Sequence, residues 1–240
     1  MGLLYGLFGV GSAFATPVLA LLGVPGVVAV TAPLPGLLPG SAAGAWSYSR
    51  GGKIDRTLAQ RTLMGGAPAA VLGAIASRWV GGPVLLALSG ITLLVVGARV
   101  LRPGGVVDPC RALERRNRPV FVISAAVAIG FASGLLANGG GFLLVPLFLL
   151  VLGLDMNEAA GTSMVVAAVL TAPTLVTHAA LGDIDWLIAG LFAAGLVPGA
   201  MIGGRVAQRL PMGRLRAAFG VLLVGFAVWF LVRQIGGMVR

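Results

Sequence analysis

The chain has 240 residues, of which 58% are hydrophobic and 10% are charged, and its 17 basic against seven acidic residues give a formal net charge of +10. Soluble domains carry roughly 25% charged residues, so the composition excludes an ordinary soluble domain and indicates an integral protein of a lipid bilayer. The basic residues lie in short loops rather than on a basic helix with interleaved aromatic residues, which argues against nucleic-acid binding.

The sequence offers no chemistry that would make an enzyme. It contains no G-x-S-x-G, P-loop or H-E-x-x-H motif, and one histidine with one cysteine cannot build a zinc site. The single cysteine, Cys110, also excludes an intrachain disulfide. We therefore predict a protein without catalytic residues, metal or cofactor.

Apolar segments follow one another along the chain, five in each half. A full crossing needs about 20 residues, so segments 13–24 and 141–153 are too short for a straightforward crossing. Each follows a glycine cluster, Gly9-Val10-Gly11 or Gly139-Gly140-Gly141, which is typical of broken or re-entrant helices that face a protein-lined cavity. The segments span about 1–10, 13–24, 27–48, 54–77, 83–101, 119–137, 141–153, 158–180, 184–207 and 214–233.

The two halves repeat each other at a spacing of 130 residues, with the charges of their loops reversed. Gly52-Lys53-Ile54-Asp55 recurs as Gly182-Asp183-Ile184-Asp185, and Gly65, Pro68 and Gly73 recur in the same register. The loop 50–61 contains four basic residues, whereas 181–191 contains no Lys or Arg. Cytoplasmic loops collect Lys and Arg, so related loops of opposite charge predict two repeats that cross the bilayer in opposite directions.

The charges also predict the topology. Loops 50–61, 99–118 and 205–216 face the cytoplasm and both termini lie outside, which places 14 of the 17 basic residues inside. If the two short segments were re-entrant, the number of bilayer crossings would change and would no longer agree with the loop charges. We therefore favour short segments that are half-length helices and that jointly complete a crossing. We expect a first repeat at 1–102, a basic cytoplasmic linker at 103–118 and a second repeat at 119–240. The first repeat has fewer residues before its glycine cluster than the second, so we expect the native start to lie upstream of Met1.

The glycine clusters are the candidate substrate site. A helix that starts at a glycine cluster offers unpaired N–H groups and a positive dipole end, which together bind anions without a charged side chain. The alternative is that these glycines only permit a sharp turn and close packing. The residues that we expect around an anion are Asn138, Gly139, Gly140, Gly141, Thr162 and Ser163 in the second repeat and Gly11, Ser12, Thr16 and Thr31 in the first.

Other conspicuous residues have structural interpretations. The stripes Gly36-xxx-Gly40-xxx-Gly44 and Gly195-xxx-Gly199-xxx-Gly203 predict close helix packing. All seven acids lie in loops or at segment ends, so a buried carboxylate that would couple transport to protons is not predicted. His178 is expected to be a structural histidine near the interface, and the alternative is a group that binds a proton or the substrate. Interfacial anchors are predicted at Trp46, Tyr48, Trp79 and Trp186.

The order of these motifs resembles a known family. The glycine cluster before Val145-Pro146, then Ala159-Ala160-Gly161-Thr162-Ser163 and Gly182-Asp183-Ile184-Asp185, is similar to the TauE/SafE family of sulfite exporter-like permeases. The resemblance covers nearly the whole chain and implies a bacterial or archaeal plasma-membrane transporter of sulfite, organosulfonates or related anions. Thr31-Ala32-Pro33 stands where the second repeat has Gly161-Thr162-Ser163, so the first half-site is expected to differ in shape or polarity.

The sequence therefore predicts an all-α, polytopic membrane protein with two inverted-topology repeats. We expect it to move a small sulfur-containing anion by alternating access, and the pattern also leaves room for a homodimer. One alternative is a channel-like uniporter for small anions. Another is a membrane scaffold subunit without transport, which would not need two matching glycine clusters.

Overall fold

A computed structural model of the chain describes residues 1–10, 14–15, 18–19, 23–24, 26–80, 82–101, 109–136, 141–182 and 184–238. Every regular element in these ranges is helical. A 3-10 turn covers Ser77–Trp79 and a π-helical segment covers Leu147–Val151. The α-helices are α1 Gly2–Phe8, α2 Gly26–Thr31, α3 Leu34–Arg50, α4 Arg56–Ala76, α5 Gly82–Leu101, α6 Pro109–Asn117, α7 Pro119–Leu135, α8 Gly141–Pro146, α9 Met156–Ala180, α10 Trp186–Ala207 and α11 Met212–Met238.

The helices agree with the predicted apolar segments, except at two breaks. Segment 27–48 is divided into α2 and α3, because Pro33 has no N–H to donate and also disfavours helical backbone at the residue before it. Segment 141–153 consists of α8 and the π-helical segment, and it stops at Gly153, whose φ of 66° is left-handed. Most of segment 13–24 lies outside the described residues.

The 130-residue repeat is also a repeat of local structure. Helix α4 begins after Asp55 and α10 begins after Asp185, and in both cases the aspartate Oδ1 accepts a hydrogen bond from a backbone N–H of the first helical turn. Gly52 and Gly182, three residues before each aspartate, have left-handed φ values of 66° and 75°. The same turn chemistry therefore begins the fourth segment of each half.

Two helices of each half pack so closely against helices of the other half that backbone atoms contact each other. Along α1, Gly2 lies against Gly199 and Gly6 lies against Gly203, so α1 runs parallel to α10. The counterpart pair is α4 with α7, which is also parallel. Its close contacts are Gly65 with Ile123, Gly66 with Gly130, Ala70 with Gly134 and Gly73 with Phe131. A side chain at any of these glycines except Gly66 would collide with backbone atoms, which confirms the predicted packing role of Gly199 and Gly203. The prediction was wrong for Gly195, where a side chain would enter open space.

Helices at equivalent positions of the two halves run antiparallel to each other. The end of α3 meets the beginning of α9, where Gly161 lies against Tyr48, and the middle of α3 meets Met164 through Gly44. Similarly, Arg216 near the start of α11 donates from Nη2 to the carbonyl of Val100 near the end of α5, at 3.5 Å. The equivalent helices of each pair therefore point in opposite directions.

The basic loops meet at one end of the helix bundle. Arg116 of α6 forms an ion pair with Asp55, and Arg61 Nη1 donates to the carbonyl oxygen of Arg116 at 2.9 Å. Gln208 Nε2 donates to the carbonyl oxygen of Ser47 at 3.0 Å, which joins the ends of α3 and α10. These contacts define what we call the basic end, formed by 47–61, 99–101, 109–118 and 205–216.

The outer surface between the two ends is apolar. Leu187 and Leu191 on α10 are 74% and 71% exposed, as expected for side chains that contact lipid. Within the described residues, three helices are long and apolar enough to cross a bilayer: Met156–Ala180, Trp186–Ala207 and Met212–Trp229. Cys110–Asn117 and Pro119–Leu135, which meet at 83°, would provide a fourth crossing as one bent span.

The first prediction concerns the two ends of the bundle. Single cysteines at Ala180 and Gly213, in a Cys110→Ser background, should react with an impermeant maleimide from opposite sides of the membrane. Helices α9 and α11 both start at the basic end, so Gly213, near the start of α11, lies there, whereas Ala180, at the end of α9, lies at the opposite end. Both positions are exposed, and neither requires left-handed backbone, unlike Gly182. Labelling of both from the same side would contradict the arrangement.

Candidate functional site

The segment Gly161-Thr162-Ser163 lies in the second turn of α9 and is completely enclosed by other helices. Gly161 faces the carbonyl of Lys53 so closely that a Cβ atom there would collide with the oxygen. The loop that ends α3 in the first half therefore rests directly on α9 of the second half. We call this convergence, together with Gly9 and Tyr48, the α1–α9 junction.

The hydroxyl of Thr162 binds the backbone just before the start of α4. Its Oγ1 accepts a hydrogen bond from the backbone N–H of Asp55 at 3.0 Å. The Asp55 side chain caps α4 through Leu58 and also forms the ion pair with Arg116. The Thr162 hydroxyl proton is not used in the bond with Asp55, so it remains available to an acceptor, including an anion.

Ser163 lies where the first glycine cluster approaches the second half. A Cβ atom added to Gly9 would be 2.9 Å from Ser163 Oγ and 3.2 Å from Val145 Cγ2. Gly9 ends α1 with a left-handed φ of 73°, and its N–H donates to the carbonyl of Tyr5 at 2.7 Å. Since Val145 belongs to α8, the chain at the first glycine cluster touches the half-helix that follows the second cluster.

Tyr48 holds the end of α1 in this junction. The side chain is fully buried, and its hydroxyl donates to the carbonyl oxygen of Gly6 at 3.1 Å. The hydroxyl oxygen also lies 3.3 Å from the carbonyl oxygen of Leu7. The prediction of an interfacial anchor was wrong for Tyr48, because its side chain is buried within the protein. There its hydroxyl binds carbonyl groups at the end of α1 that have no partner within α1. Trp46, Trp79 and Trp186 are all more than half exposed and are confirmed as surface aromatics.

Four residues of the predicted set lie among the described residues. Ser163 lies beside Gly9, and Thr162 is bound to Asp55, while Thr31 is buried at the end of α2 and Gly141 begins α8. The other predicted residues, Asn138, Gly139, Gly140, Gly11, Ser12 and Thr16, lie outside the described residues.

Sequence reasoning missed Tyr48, Asp55 and Arg116 as residues of the junction. Asp55 carried a signal, because it belongs to the repeated Gly52-Lys53-Ile54-Asp55 motif. The sequence could not reveal that its backbone N–H reaches a threonine 107 residues away. Arg116 was one of several similar arginines in the linker.

The chemistry available at the junction is that of dipoles and hydroxyl groups. Ser163 Oγ donates to the carbonyl of Ala160 at 2.9 Å, and rotation of the hydroxyl would let it donate its single proton to an anion instead. In the described part of the chain, no group of three His, Cys, Asp or Glu side chains is placed to hold a metal ion. The arrangement suits non-covalent binding of a small polar solute.

Comparison with known proteins gives a consistent set of relatives. The family described as sulfite exporter TauE/SafE matches residues 1–230. A probable membrane transporter protein of Xylella fastidiosa (strain 9a5c) is 29% identical over 174 residues, 71% of this chain and 66% of that protein's length. The probable membrane transporter protein YjnA of Bacillus subtilis (strain 168) is 25% identical over 225 residues, 87% of each chain. No solved structure matches the chain.

The second prediction tests the bond between the halves. Thr162→Val should destabilise the protein by about 1–3 kcal/mol, because the half-buried N–H of Asp55 loses its acceptor. The control is Thr171→Val, since Thr171 is equally buried and its hydroxyl donates only to the carbonyl of Ala167 in its own helix. Denaturant titration in detergent micelles measures both variants, and equal losses would contradict the assigned role of Thr162.

Proposed function

Since the chain belongs to the sulfite exporter TauE/SafE family of membrane transporters, we propose that it carries a small sulfur-containing anion across the plasma membrane of a bacterium or archaeon. Sulfite and organosulfonates are the substrate class that we favour. Such an anion is small and strongly hydrated, so its binding needs hydrogen-bond donors that replace the lost water.

We propose that the transporter consists of two inverted repeats, 1–102 and 119–240, joined by the linker 103–118 that contains α6. The antiparallel pairs α3 with α9 and α5 with α11 support inversion, because equivalent helices of inverted repeats must point in opposite directions. The reciprocal pairs α1 with α10 and α4 with α7 support a pseudo-two-fold relation. Rocking of one half against the other would then open the site alternately to each side.

The observation that carries the proposal is the position of Gly9 between Ser163 and Val145. It brings the first glycine cluster to the element that follows the second cluster. In our proposal the anion lies between the two clusters, beside the hydroxyls of Thr162 and Ser163. Asn138 to Gly141, Gly11, Ser12, Thr16 and Thr31 complete the proposed set.

Flux into proteoliposomes tests the function. Sulfite, sulfoacetate, thiosulfate and sulfate should be compared in vesicles loaded with the same or a different anion. A carrier is expected to saturate and to exchange internal for external anion, whereas a channel-like uniporter would show flux without exchange. Absence of flux for all four anions would favour a scaffold subunit.

The third prediction concerns Ser163. Ser163→Ala should lower the rate of sulfite flux by roughly tenfold or more, because a hydrogen bond to a charged ligand contributes about 1.5–3 kcal/mol. Ser77→Ala is the matched control, since Ser77 Oγ makes the same kind of bond to the carbonyl of Ala74, at 2.7 Å, outside the junction. Unchanged flux in Ser163→Ala, with normal expression, would exclude this hydroxyl from the site.

The fourth prediction concerns proton coupling. A permanently ionised sulfonate should be transported at nearly the same rate between about pH 6 and pH 8. No carboxylate belongs to the proposed set, the neighbouring Asp55 is held in an ion pair with Arg116, and histidine is the side chain whose ordinary pKa lies in this range. Uptake is measured in the wild type and in His178→Gln. A steep pH dependence that persists in His178→Gln would show that another group couples transport to protons.

A further inference from the structure

A cavity of about 270 Å³ opens at the basic end, between the C-terminal ends of α3 and α10. Its wall includes Trp46, Arg50, Arg205, Gln208 and Arg209. The proposed transport function gives this cavity no role. It lies at the surface, whereas the residues of the α1–α9 junction are buried.

The cavity concentrates positive charge. Those of its lining residues that the structure describes include three arginines and no acidic residue. Among the described residues, the two ion pairs with carboxylates use Arg116 and Arg118, so none of the three cavity arginines takes part in one. Three guanidinium groups around one space repel one another, and an anion bound between them would relieve that repulsion.

The neighbouring groups fix the shape of the cavity. Gln208 Nε2 donates to the carbonyls of Ser47 and Gly204, both at 3.0 Å, which holds the two helix ends together. The guanidinium of Arg50 lies over the ring of Trp46, 5.3 Å from its centroid. This stacking restricts the Arg50 side chain, so less conformational entropy is lost when it binds a ligand.

The arginines are not required by the packing of the repeat. At a spacing of 130 residues, Arg50, Arg205 and Arg209 correspond to Ala180, Ile75 and Trp79. The other half thus forms the corresponding helix ends, of α9 and α4, without basic residues at these positions. The general excess of basic residues in cytoplasmic loops explains their number but not their grouping around a cavity.

We propose that this cavity binds the phosphate group of an anionic phospholipid from the adjacent leaflet. The apolar surface next to the cavity favours a lipid over free phosphate. Ile202 and Val206, which are 52% and 42% exposed, lie on α10 beside Arg205 and Arg209, and Trp46 is 58% exposed. The headgroup would bind the guanidinium groups while the acyl chains lie along these apolar side chains.

The test is lipid binding to the purified, delipidated protein, followed by native mass spectrometry. Phosphatidylglycerol should bind more tightly than phosphatidylcholine with the same acyl chains. The triple variant Arg50→Gln, Arg205→Gln, Arg209→Gln should bind phosphatidylglycerol roughly 100-fold more weakly, and Arg209→Gln alone about fivefold more weakly. The single variant keeps the test decisive if the triple variant does not fold.

The matched control removes the same charge from the basic end outside the cavity. Arg56, Arg111 and Arg214 are exposed and do not line it, so their joint change to Gln should leave phosphatidylglycerol binding nearly unchanged. An equal loss in the control would overturn the site, because it would indicate general attraction. Tight binding of inorganic phosphate that displaces phosphatidylglycerol would overturn the assignment to a lipid, as would equal binding of the two lipids. Lipid binding is measured without transport, so failed flux would leave this result intact.

Discussion

The fold depends on the pairing of backbone groups at helix ends. Every helix leaves unpaired N–H and carbonyl groups at its ends, and where protein or lipid surrounds such an end these groups must find partners within the protein. Here side chains of a neighbouring helix, often from the other half, supply them. Tyr48 donates to the end of α1, Thr162 accepts from the start of α4, and Gln208 joins α10 to α3. The breaks in the helices are therefore sites of interaction between the halves.

Small residues let the parallel helix pairs pack closely. The pairs α1 with α10 and α4 with α7 approach through glycines whose missing side chains leave room for backbone atoms. Each pair joins a helix of one half to a helix of the other. In the proposed mechanism, rocking of the halves would therefore have to proceed by small sliding movements along these glycine-lined contacts.

The two halves share backbone geometry but differ in side chains. Both contain the left-handed glycine and the aspartate cap before the fourth segment, yet among the described residues only Asp55 of the two aspartates also has an arginine partner. Gly161-Thr162-Ser163 continues a helix in the second half, while Thr31-Ala32-Pro33 interrupts one in the first. The shared geometry satisfies the backbone, while the side chains at matching positions of the two halves differ.

The sequence by itself determined the all-helical membrane class, the family, the 130-residue repeat and most helix bounds, because hydropathy, glycine spacing and loop charge are properties of short segments. It also predicted that the glycine stripes serve packing. Only the tertiary structure decided that Tyr48 is buried, that Thr162 reaches Asp55, that Gly9 lies beside Ser163 and that three arginines surround one cavity. These contacts join residues far apart in the chain, and their partners are selected by how the two halves pack, which no local pattern encodes.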